Sequence, residues 1–237
     1  MPTTRPWRID ISTSCSPKGT ADGTVADLCL TVDLEPDCPP YLSGWTGVEL
    51  GMPEVLDLFA RSELLATVFA TGESAERYPD LIRRIVDEGH ELGCHGQSHR
   101  SFSALGPDEA EREIARSAEL LRRFAPVTSF RAPYLDFPER YVPLLEAHGF
   151  TIDASRGRYK PAHWFRKQAV SPVRRIPAST TSSVLRTPPA LRDLLFRLMR
   201  PPVVLFVHPW EFVDQSGAPI PWDCRFGTGS PALASLS

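Results

Sequence analysis

The 237-residue chain has a formal net charge of -3 at pH 7, with 42% hydrophobic and 23% charged residues. These proportions are typical of a globular protein, and the slight negative charge argues against a dedicated nucleic-acid binder. No run approaches the roughly 18 apolar residues that cross a membrane, and residues 1–18 lack the apolar segment of a secretory signal. We therefore expect a cytoplasmic protein with no membrane span and no nucleic-acid partner.

Apolar runs alternate with helical patterns along the chain. Seven segments are predicted as buried strands: 28–34, 64–71, 90–94, 127–133, 150–155, 173–178 and 202–208. Five segments have apolar residues at helical spacing: 53–62, 75–88, 107–124, 138–148 and 188–199. Pro53 and Pro107 occupy favoured first-turn positions, and Gly89 is a good helix terminator.

Repeated β-α units of this length predict a parallel sheet with helical crossovers. About seven strands in one chain favour a distorted (β/α) barrel over an open sheet. Because no internal repeat or low-complexity linker divides the sequence, we expect a single α/β domain over residues 1–237. Its chemically informative part is 27–212, and the tail 213–237 has little periodicity and is predicted to be irregular.

Ionisable side chains stand just past the predicted strands. They are Asp33, Glu35 and Asp37 after the first strand, His95 and His99 after the third, Arg131 and Tyr134 after the fourth, and His208 after the last. In a (β/α) barrel the reactive residues lie at the carboxyl ends of the strands. We therefore expect these four strand ends to share one rim.

His95 and His99 are separated by three residues, which places the imidazoles one turn apart if the segment is helical. Two imidazoles and one carboxylate leave a coordination position open, as in catalytic zinc sites. Such a metal activates water and polarises a carbonyl group. The spacing alone also fits two surface histidines near a turn. The five cysteines form no CxxC pair, which argues against a cysteine-rich zinc site.

Five segments resemble, in the same order, the motifs of the polysaccharide deacetylases, the NodB-homology group or carbohydrate esterase family 4. They are LTVDLE (30–35), GHELGCHGQSH (89–99), FRAPY (130–134), GFTIDAS (149–155) and VLFVHPWEF (204–212). The resemblance implies a barrel of the NodB-homology type. It also implies a hydrolase that removes an N-linked acyl group, usually acetyl, from an amino sugar with the help of a divalent metal ion, above all zinc.

The resemblance implies roles for individual residues as well. These are Asp33 as the general base, His95 and His99 as metal ligands, Arg131 as the residue that orients the base, the backbone N–H of Tyr134 as an oxyanion donor, Asp153 as the acid that tunes the catalytic histidine, and His208 as the general acid. Amide hydrolysis needs an activated water, a stabilised oxyanion and a proton for the departing nitrogen, so each role also makes chemical sense unaided.

The sequence departs from the family pattern at two motifs. Leu34 stands where the family has an aspartate that binds the metal, so Glu35 is predicted as the third ligand, with Asp37 as the fallback. The tryptophan usual in the fourth motif is absent after Ser155. Three other tryptophans are candidates for the aromatic wall of the site: Trp45, Trp164 and Trp210.

Two alternatives stay open at this point. One is a metal-independent hydrolase of cyclic amides or ureides, as in the allantoinase-like branch of the family, and the other is a catalytically inactive sugar-binding relative. The expected partner is a small-molecule or glycan substrate, such as a small glycoside or a nucleotide- or lipid-linked sugar. The irregular segments 36–47 and 214–229 are expected to shape its pocket. The sequence indicates no particular oligomeric state.

Overall fold

The computed structural model describes residues 28–161 and 169–236 of the chain. In these ranges one sheet contains eight strands: β1 (Leu28–Leu34), β2 (Thr67–Ala70), β3 (Glu91–Cys94), β4 (Ser129–Phe130), β5 (Ile152–Asp153), β6 (Arg174–Arg175), β7 (Thr180–Thr181) and β8 (Val203–Val207). The strands lie in the order β6-β5-β4-β3-β2-β1-β8-β7, and all described pairs are parallel. Parallel pairing requires crossover connections, which helices supply along most of the chain.

Strands β6 and β7 are the first and last strands in this order, yet they are consecutive parts of one extended segment of the chain. The N–H of Ile176 donates to the carbonyl of Asp153 in β5 at 2.9 Å, and the N–H of Ser179 donates to the carbonyl of Val204 in β8 at 2.7 Å. The segment therefore joins the two edges, and the sheet curls into a distorted barrel of seven chain segments. This confirms the predicted (β/α) barrel.

Eight α-helices are present in the described residues: α1 (Met52–Arg61), α2 (Gly72–Arg77), α3 (Pro79–Asp87), α4 (Pro107–Leu121), α5 (Val142–Ala147), α6 (Pro189–Leu198), α7 (Trp222–Arg225) and α8 (Ser230–Leu236). The predicted apolar stripes of α1, α3 and α4 face inward. Phe59, Ile85 and Ile114, one from each helix, are fully buried in the main hydrophobic core with the residues of β1 and β2. Burial of these faces is what fixes the helices around the sheet.

The prediction of one helix over 75–88 is wrong, because the chain forms α2 and α3 with a break at Tyr78. Pro79 has no N–H to donate and restricts the backbone of the residue before it, so the first helix ends there. Helix α2 begins earlier than expected because the hydroxyl of Thr71 accepts the N–H of Ser74 at 3.0 Å.

Further differences from expectation concern strand β4 and the C-terminal tail. Strand β4 is shorter than the predicted strand 127–133, and after it the chain turns through left-handed conformations at Tyr134 and Leu135, whose φ angles are 60° and 50°. The tail 213–237 is not wholly irregular, because it contains α7 and α8. Helix α8 buries Ala232 in the main core, a tertiary contact with no signature in the sequence.

The turn that follows β8 packs directly against a single π-helical turn, Gly47–Gly51. A Cβ atom on Gly51 would lie 2.1 Å from the carbonyl oxygen of Pro209, and one on Gly47 would lie 2.4 Å from the backbone of Trp210. Glycine is required at both positions because a side chain would prevent this approach. The two glycines thus fix the position of the turn that follows His208.

Candidate active site

Four parallel strands deliver ionisable side chains to the same rim of the barrel. Asp33 lies near the end of β1, His95 directly follows β3, Arg131 directly follows β4, and His208 directly follows β8. The register keeps these ends level, because Val32 pairs with Val207 and Cys94 pairs with Phe130. The structure therefore brings together the residues that the sequence places at the strand ends.

Glu35, His95 and His99 form a buried group that could hold a metal ion. Their ligand atoms all lie within 4.8 Å of one another. The Oε2 atom of Glu35 is 2.6 Å from the Nε2 atom of His99 and 3.1 Å from the Nε2 atom of His95. Two imidazoles and a carboxylate that converge in this way have the composition of an open zinc site.

Asp37, the fallback ligand, has a structural role instead. Its carboxylate accepts the backbone N–H of Thr46 at 2.9 Å and that of Gly47 at 2.7 Å, at the start of the π-helical turn. Asp37 therefore satisfies backbone donors that would otherwise lack partners. The carboxylate that reaches the two histidines is Glu35.

The surroundings of the histidines fit a metal ion. The Nδ1–H of His95 donates to the carbonyl oxygen of Arg131 at 2.7 Å, which leaves the lone pair of Nε2 directed at the group. The side chain of His99 is 4% exposed, and although its Nε2 lies 2.6 Å from Glu35, neither ring nitrogen makes a hydrogen bond of good geometry within the described residues. Buried polar atoms without partners are rare, and coordination through Nε2 would remove this deficit for that nitrogen.

The loop between the two histidines is not helical, contrary to one reading of the spacing. His99 has a φ of 53°, in the left-handed region, and the two imidazole centroids are 5.1 Å apart. Glu113 of α4 holds the loop by accepting the N–H groups of Gln97 and Ser98, each at 2.9 Å. Sequence reasoning missed Glu113, because nothing in the local pattern links a carboxylate on α4 to this loop.

The pKa of Glu35 reflects competing influences. Burial opposes the charged form, but the neighbouring side chains of His99, His208 and His95 outweigh it. The net effect holds the pKa of Glu35 well below its usual value. Glu35 is therefore an anion at neutral pH and suits a cationic ligand.

Asp33 and Arg131 form a buried ion pair beside this group. The Nη1 atom of Arg131 lies 2.6 Å from Oδ1 of Asp33 and 2.8 Å from Oγ1 of Thr31. The guanidinium is fully buried and packs over the rings of Phe69 and Phe206, at 4.2 and 5.4 Å from their centroids. These contacts fix the orientation of the Asp33 carboxylate and balance its charge.

Tyr134 lies next to His99 on the loop after β4. Its φ of 60° is unusual for a residue other than glycine, and its ring meets that of His99 edge-on at 4.8 Å. Its carbonyl oxygen accepts a hydrogen bond from Nζ of Lys160 at 2.6 Å. Strained backbone of this kind concentrates at functional sites, where the surrounding structure holds it in place.

His208 makes its closest polar contact with Glu211, a residue that sequence reasoning did not single out. The Nδ1 atom of His208 is 2.7 Å from Oε1 of Glu211, and its Nε2 atom is 3.7 Å from Oε1 of Glu35. Burial disfavours the charged imidazole, but Glu35 and Glu211 outweigh it and raise the pKa of His208 to about 9. The spacing H-x2-E in the fifth motif was the available signal.

Asp153 has different partners from the one implied by the family resemblance. Its Oδ2 atom is 2.8 Å from Nη1 of Arg175, and its Oδ1 atom accepts the N–H of Ser155 at 2.9 Å. The hydroxyl of Ser155 in turn accepts the N–H of Ala132 at 2.8 Å. Burial raises the pKa of Asp153 despite the neighbouring Arg175. Asp153 thus supports the loop that carries Arg131, and the acid in contact with His208 is Glu211.

The candidate tryptophans differ in their positions. The ring of Trp210 stacks on the imidazole of His208, with centroids 5.2 Å apart and planes at 21°. Trp45 packs instead against Tyr78 at 5.8 Å, and Trp164 lies outside the described residues. The two irregular segments meet beside Trp210, where Cys38 and Ile220 form a small buried cluster with it.

The fold and the rim together describe a parallel (β/α)-barrel protein with a candidate metal site of one carboxylate and two histidines. Residues 25–152, more than half of the chain, match the model of the family described as polysaccharide deacetylase. The chain therefore belongs to the polysaccharide deacetylase family, which confirms the resemblance of its motifs.

The chain is 37% identical over 123 residues to a peptidoglycan deacetylase of Helicobacter pylori, over 50% of this chain and 42% of that protein. It is 40% identical over 85 residues to a chitooligosaccharide deacetylase of Sinorhizobium fredii, over 35% of this chain and 40% of that protein. The chain thus spans less than half the length of these curated relatives.

Among solved structures, the family 4 carbohydrate esterase from Streptomyces lividans, in complex with acetate, shares the fold with a TM-score of 0.56. The two chains are 17% identical, and the match covers 89% of this chain and 88% of that one. Within the residues that the structure describes, none of the helices has the length and apolar character to span a bilayer. The single-domain organisation and the cytoplasmic location stay predictions.

Proposed function

We propose that this protein is a metal-dependent hydrolase that removes an N-linked acetyl group from an amino sugar of a glycan. The observation that carries the proposal is the meeting of three features on one rim: the Glu35–His95–His99 group, the Asp33–Arg131 pair and His208. The names of the relatives, peptidoglycan deacetylase and chitooligosaccharide deacetylase, support this substrate class.

Glu35, His95 and His99 would hold the metal ion in the proposed site. Zinc is favoured because two imidazoles and one carboxylate are a common ligand set of catalytic zinc. When bound, the ion would polarise the amide carbonyl and lower the pKa of a water molecule that it ligates. The anionic state of Glu35 and the lone pair of His95 Nε2 support this assignment.

Asp33 is proposed as the general base that takes a proton from the attacking water. Its carboxylate is 3% exposed, and the contact at 2.6 Å from Arg131 keeps one oxygen fixed and leaves the other for the water. The backbone N–H of Tyr134 is proposed to donate to the oxyanion of the tetrahedral intermediate. Donors held in place before the reaction stabilise this charge without a reorganisation cost.

His208 is proposed as the general acid that protonates the departing nitrogen. The proton lies on Nε2, the ring nitrogen that faces Glu35 and the metal group. Without a metal ion, Glu35 and Glu211 outweigh burial and raise the pKa of His208 to about 9, and Glu211 would still favour the protonated imidazole once Glu35 binds the ion. The amine then leaves as a neutral group, which removes the barrier to expelling an anionic nitrogen.

The decisive experiment is an acetate-release assay over chitooligosaccharides, peptidoglycan and small N-acetylated glycosides, run with and without a chelator. We expect release that stops on exhaustive chelation and returns with zinc, and about one equivalent of zinc by elemental analysis. Full turnover without metal would favour the metal-independent cyclic amide hydrolase, which a cyclic ureide panel would then test. Bound zinc with no release from any substrate would favour a sugar-binding relative.

A further inference from the structure

The turn after β8 contains a buried carboxylate, Glu211, whose effect on the orientation of His208 the proposed chemistry does not yet include. Its side chain is 3% exposed and lies three residues after His208. We propose that Glu211, itself held by Arg186, is the positioning residue that orients His208 for proton delivery. This inference rests on the proposed function, and it assigns a role to a residue for which the family resemblance implies none.

Glu211 contacts His208 at two points. Its Oε1 atom lies 2.7 Å from Nδ1 of the imidazole and accepts the backbone N–H of His208 at 3.1 Å. A carboxylate oxygen can only accept at neutral pH, so the proton of this contact lies on Nδ1. The other ring nitrogen, Nε2, is therefore the one that faces Glu35 at 3.7 Å.

Arg186 fixes the other oxygen of Glu211. Its Nη2 atom lies 2.8 Å from Oε2 of Glu211, and its Nη1 donates to the carbonyl of Asp223 at 2.8 Å. The backbone carbonyl of Glu211 accepts the N–H of Gly229 at 2.9 Å. The two carboxylate oxygens of Glu211 are thus held by His208 and Arg186, and its backbone is held by Gly229, so that the side chain has little freedom to change rotamer.

The imidazole of His208 is held on its faces as well. The ring of Trp210 stacks on it, and the ring of Phe206 meets it edge-on at 5.4 Å. Stacking restricts tilt, but an imidazole can still turn about its Cβ–Cγ bond and exchange its two edges. The bond from Nδ1 to Glu211 removes this freedom, so Nε2 stays directed at the reacting nitrogen.

The neighbouring acid, Asp153, is already committed to Arg175 and Ser155. Of the two carboxylate–arginine pairs Asp153–Arg175 and Glu211–Arg186, only the second touches His208. Arg186 also balances the charge of Glu211, so that His208 meets a carboxylate of fixed orientation whose charge is partly neutralised.

A spectroscopic test needs neither substrate nor metal. In proton NMR, a hydrogen-bonded imidazole N–H that exchanges slowly gives a downfield signal. The signal is assigned to His208 if it is lost in His208→Ala. In metal-free protein we expect the signal to disappear in Glu211→Ala and to persist in Glu139→Gln. Glu139 is a matched control because its carboxylate is also held by arginines, Arg156 and Arg175.

A kinetic test uses the zinc-loaded protein and the best substrate of the acetate assay. We expect Glu211→Gln to lower kcat by about ten- to a hundredfold, with KM within about twofold. The amide of glutamine has only one accepting oxygen, so it cannot accept from both His208 and Arg186. One of these two donors would face the NH2 group of the amide instead. Adding Arg186→Met frees the amide oxygen for His208, and it should raise kcat of Glu211→Gln by roughly fivefold.

The outcomes separate this inference from the proposed function. If no substrate releases acetate but the N–H signal depends on Glu211, positioning is supported and the proposed function fails. If Asp153→Asn removes the signal and Glu211→Ala does not, positioning by Glu211 is overturned. It is also overturned if kcat per bound zinc is unchanged in Glu211→Gln, or if Arg186→Met lowers the kcat of that variant further.

Discussion

The two sides of the rim hold their ionisable groups in different ways. On one side, Asp33 and Arg131 both come from strand ends, and the guanidinium is fully enclosed between Phe69 and Phe206. On the other side, His208 comes from a strand end, but its orientation depends on a turn and on the C-terminal part of the chain. The base side is thus built by the sheet, and the acid side is completed by loops.

This difference has an energetic consequence. Removing a partner from the enclosed pair leaves an unpaired charge in the core, which costs stability as well as chemistry. Removing a partner on the acid side leaves a group nearer the surface, because the His208 side chain is 18% exposed. We therefore expect damage on the base side to cost more stability than damage on the acid side, and damage on either side to lower turnover.

The largest effect is expected for Asp33→Asn. An amide cannot take the proton of the attacking water, so kcat should fall by about 10²–10⁴-fold, the usual contribution of a general base. Zinc content by elemental analysis should stay near that of the wild type, because Asp33 is not in the ligand group. If the variant keeps more than half of the wild-type kcat at equal zinc content, Asp33 is not the general base.

Arg131→Met should have the next largest effect, on stability. Breaking a buried ion pair on one side costs roughly 3–5 kcal/mol, because Asp33 is left buried without its partner. Denaturant unfolding of the metal-free protein measures this change. The control is Arg77→Met, which removes an exposed partner of Glu73 and should cost less than about 1 kcal/mol.

The double variant Asp33→Asn with Arg131→Met tests the cause of that loss. With both charges gone, no unpaired ion stays in the core, so most of the stability lost in Arg131→Met should return. If the double variant is as unstable as the single one, the loss comes from the packing of Arg131 on the two phenylalanine rings and not from the charge of Asp33.

Much of the site could be predicted from the sequence because strand periodicity is local. The runs before Asp33, His95 and His208 identify buried parallel strands, and parallel strands place their carboxyl ends on one rim. The choice of Glu35 over Asp37 came from the family resemblance, in which Leu34 replaces a metal-binding aspartate and Glu35 is the nearest carboxylate. The barrel and the rim therefore follow from patterns within about ten residues.

The residues that hold the loops could not be predicted in this way. Arg186 meets Glu211 across 25 residues, and Glu113 meets Gln97 across 16. Such contacts depend on how whole elements pack, and an arginine or glutamate on a helix surface looks the same in sequence whether it is solvated or buried. The split of the predicted helix 75–88 was different, because Pro79 was visible and its effect was overlooked.

On the acid side, His208→Ala should lower kcat by about a hundredfold while the zinc content stays near that of the wild type. The imidazole is the proton donor in the proposed reaction, but His208 is not in the ligand group. A substrate with a more acidic leaving nitrogen, such as an N-acetylated aniline, should be affected less. Intact turnover in His208→Ala would mean that another group protonates the amine.

The smallest effect expected is the pH-dependent loss of stability in Glu211→Gln. Burial works against the charged form of Glu211, but the hydrogen bond and charge of His208 outweigh it, with help from Arg186, and lower the pKa of Glu211 below its ordinary value of 4.5. The folded state therefore binds this proton less tightly than the unfolded chain does. The resulting stability is present above pH 4.5 and is lost as pH falls through the lowered pKa.

Unfolding of metal-free protein between about pH 6 and pH 3 should reveal this dependence, since His208 is largely protonated in both states there. The wild type should exceed Glu211→Gln by about 1.5–3 kcal/mol at the upper end, the usual contribution of hydrogen bonds to charged groups. The difference should shrink towards the lower end, where the wild-type carboxylate takes up a proton. The partly exposed control Glu73→Gln should differ from wild type by less than about 1 kcal/mol throughout. A difference that does not change with pH would mean that the acid side is held by packing, as Arg131 is between its two rings, and not by the charge of Glu211.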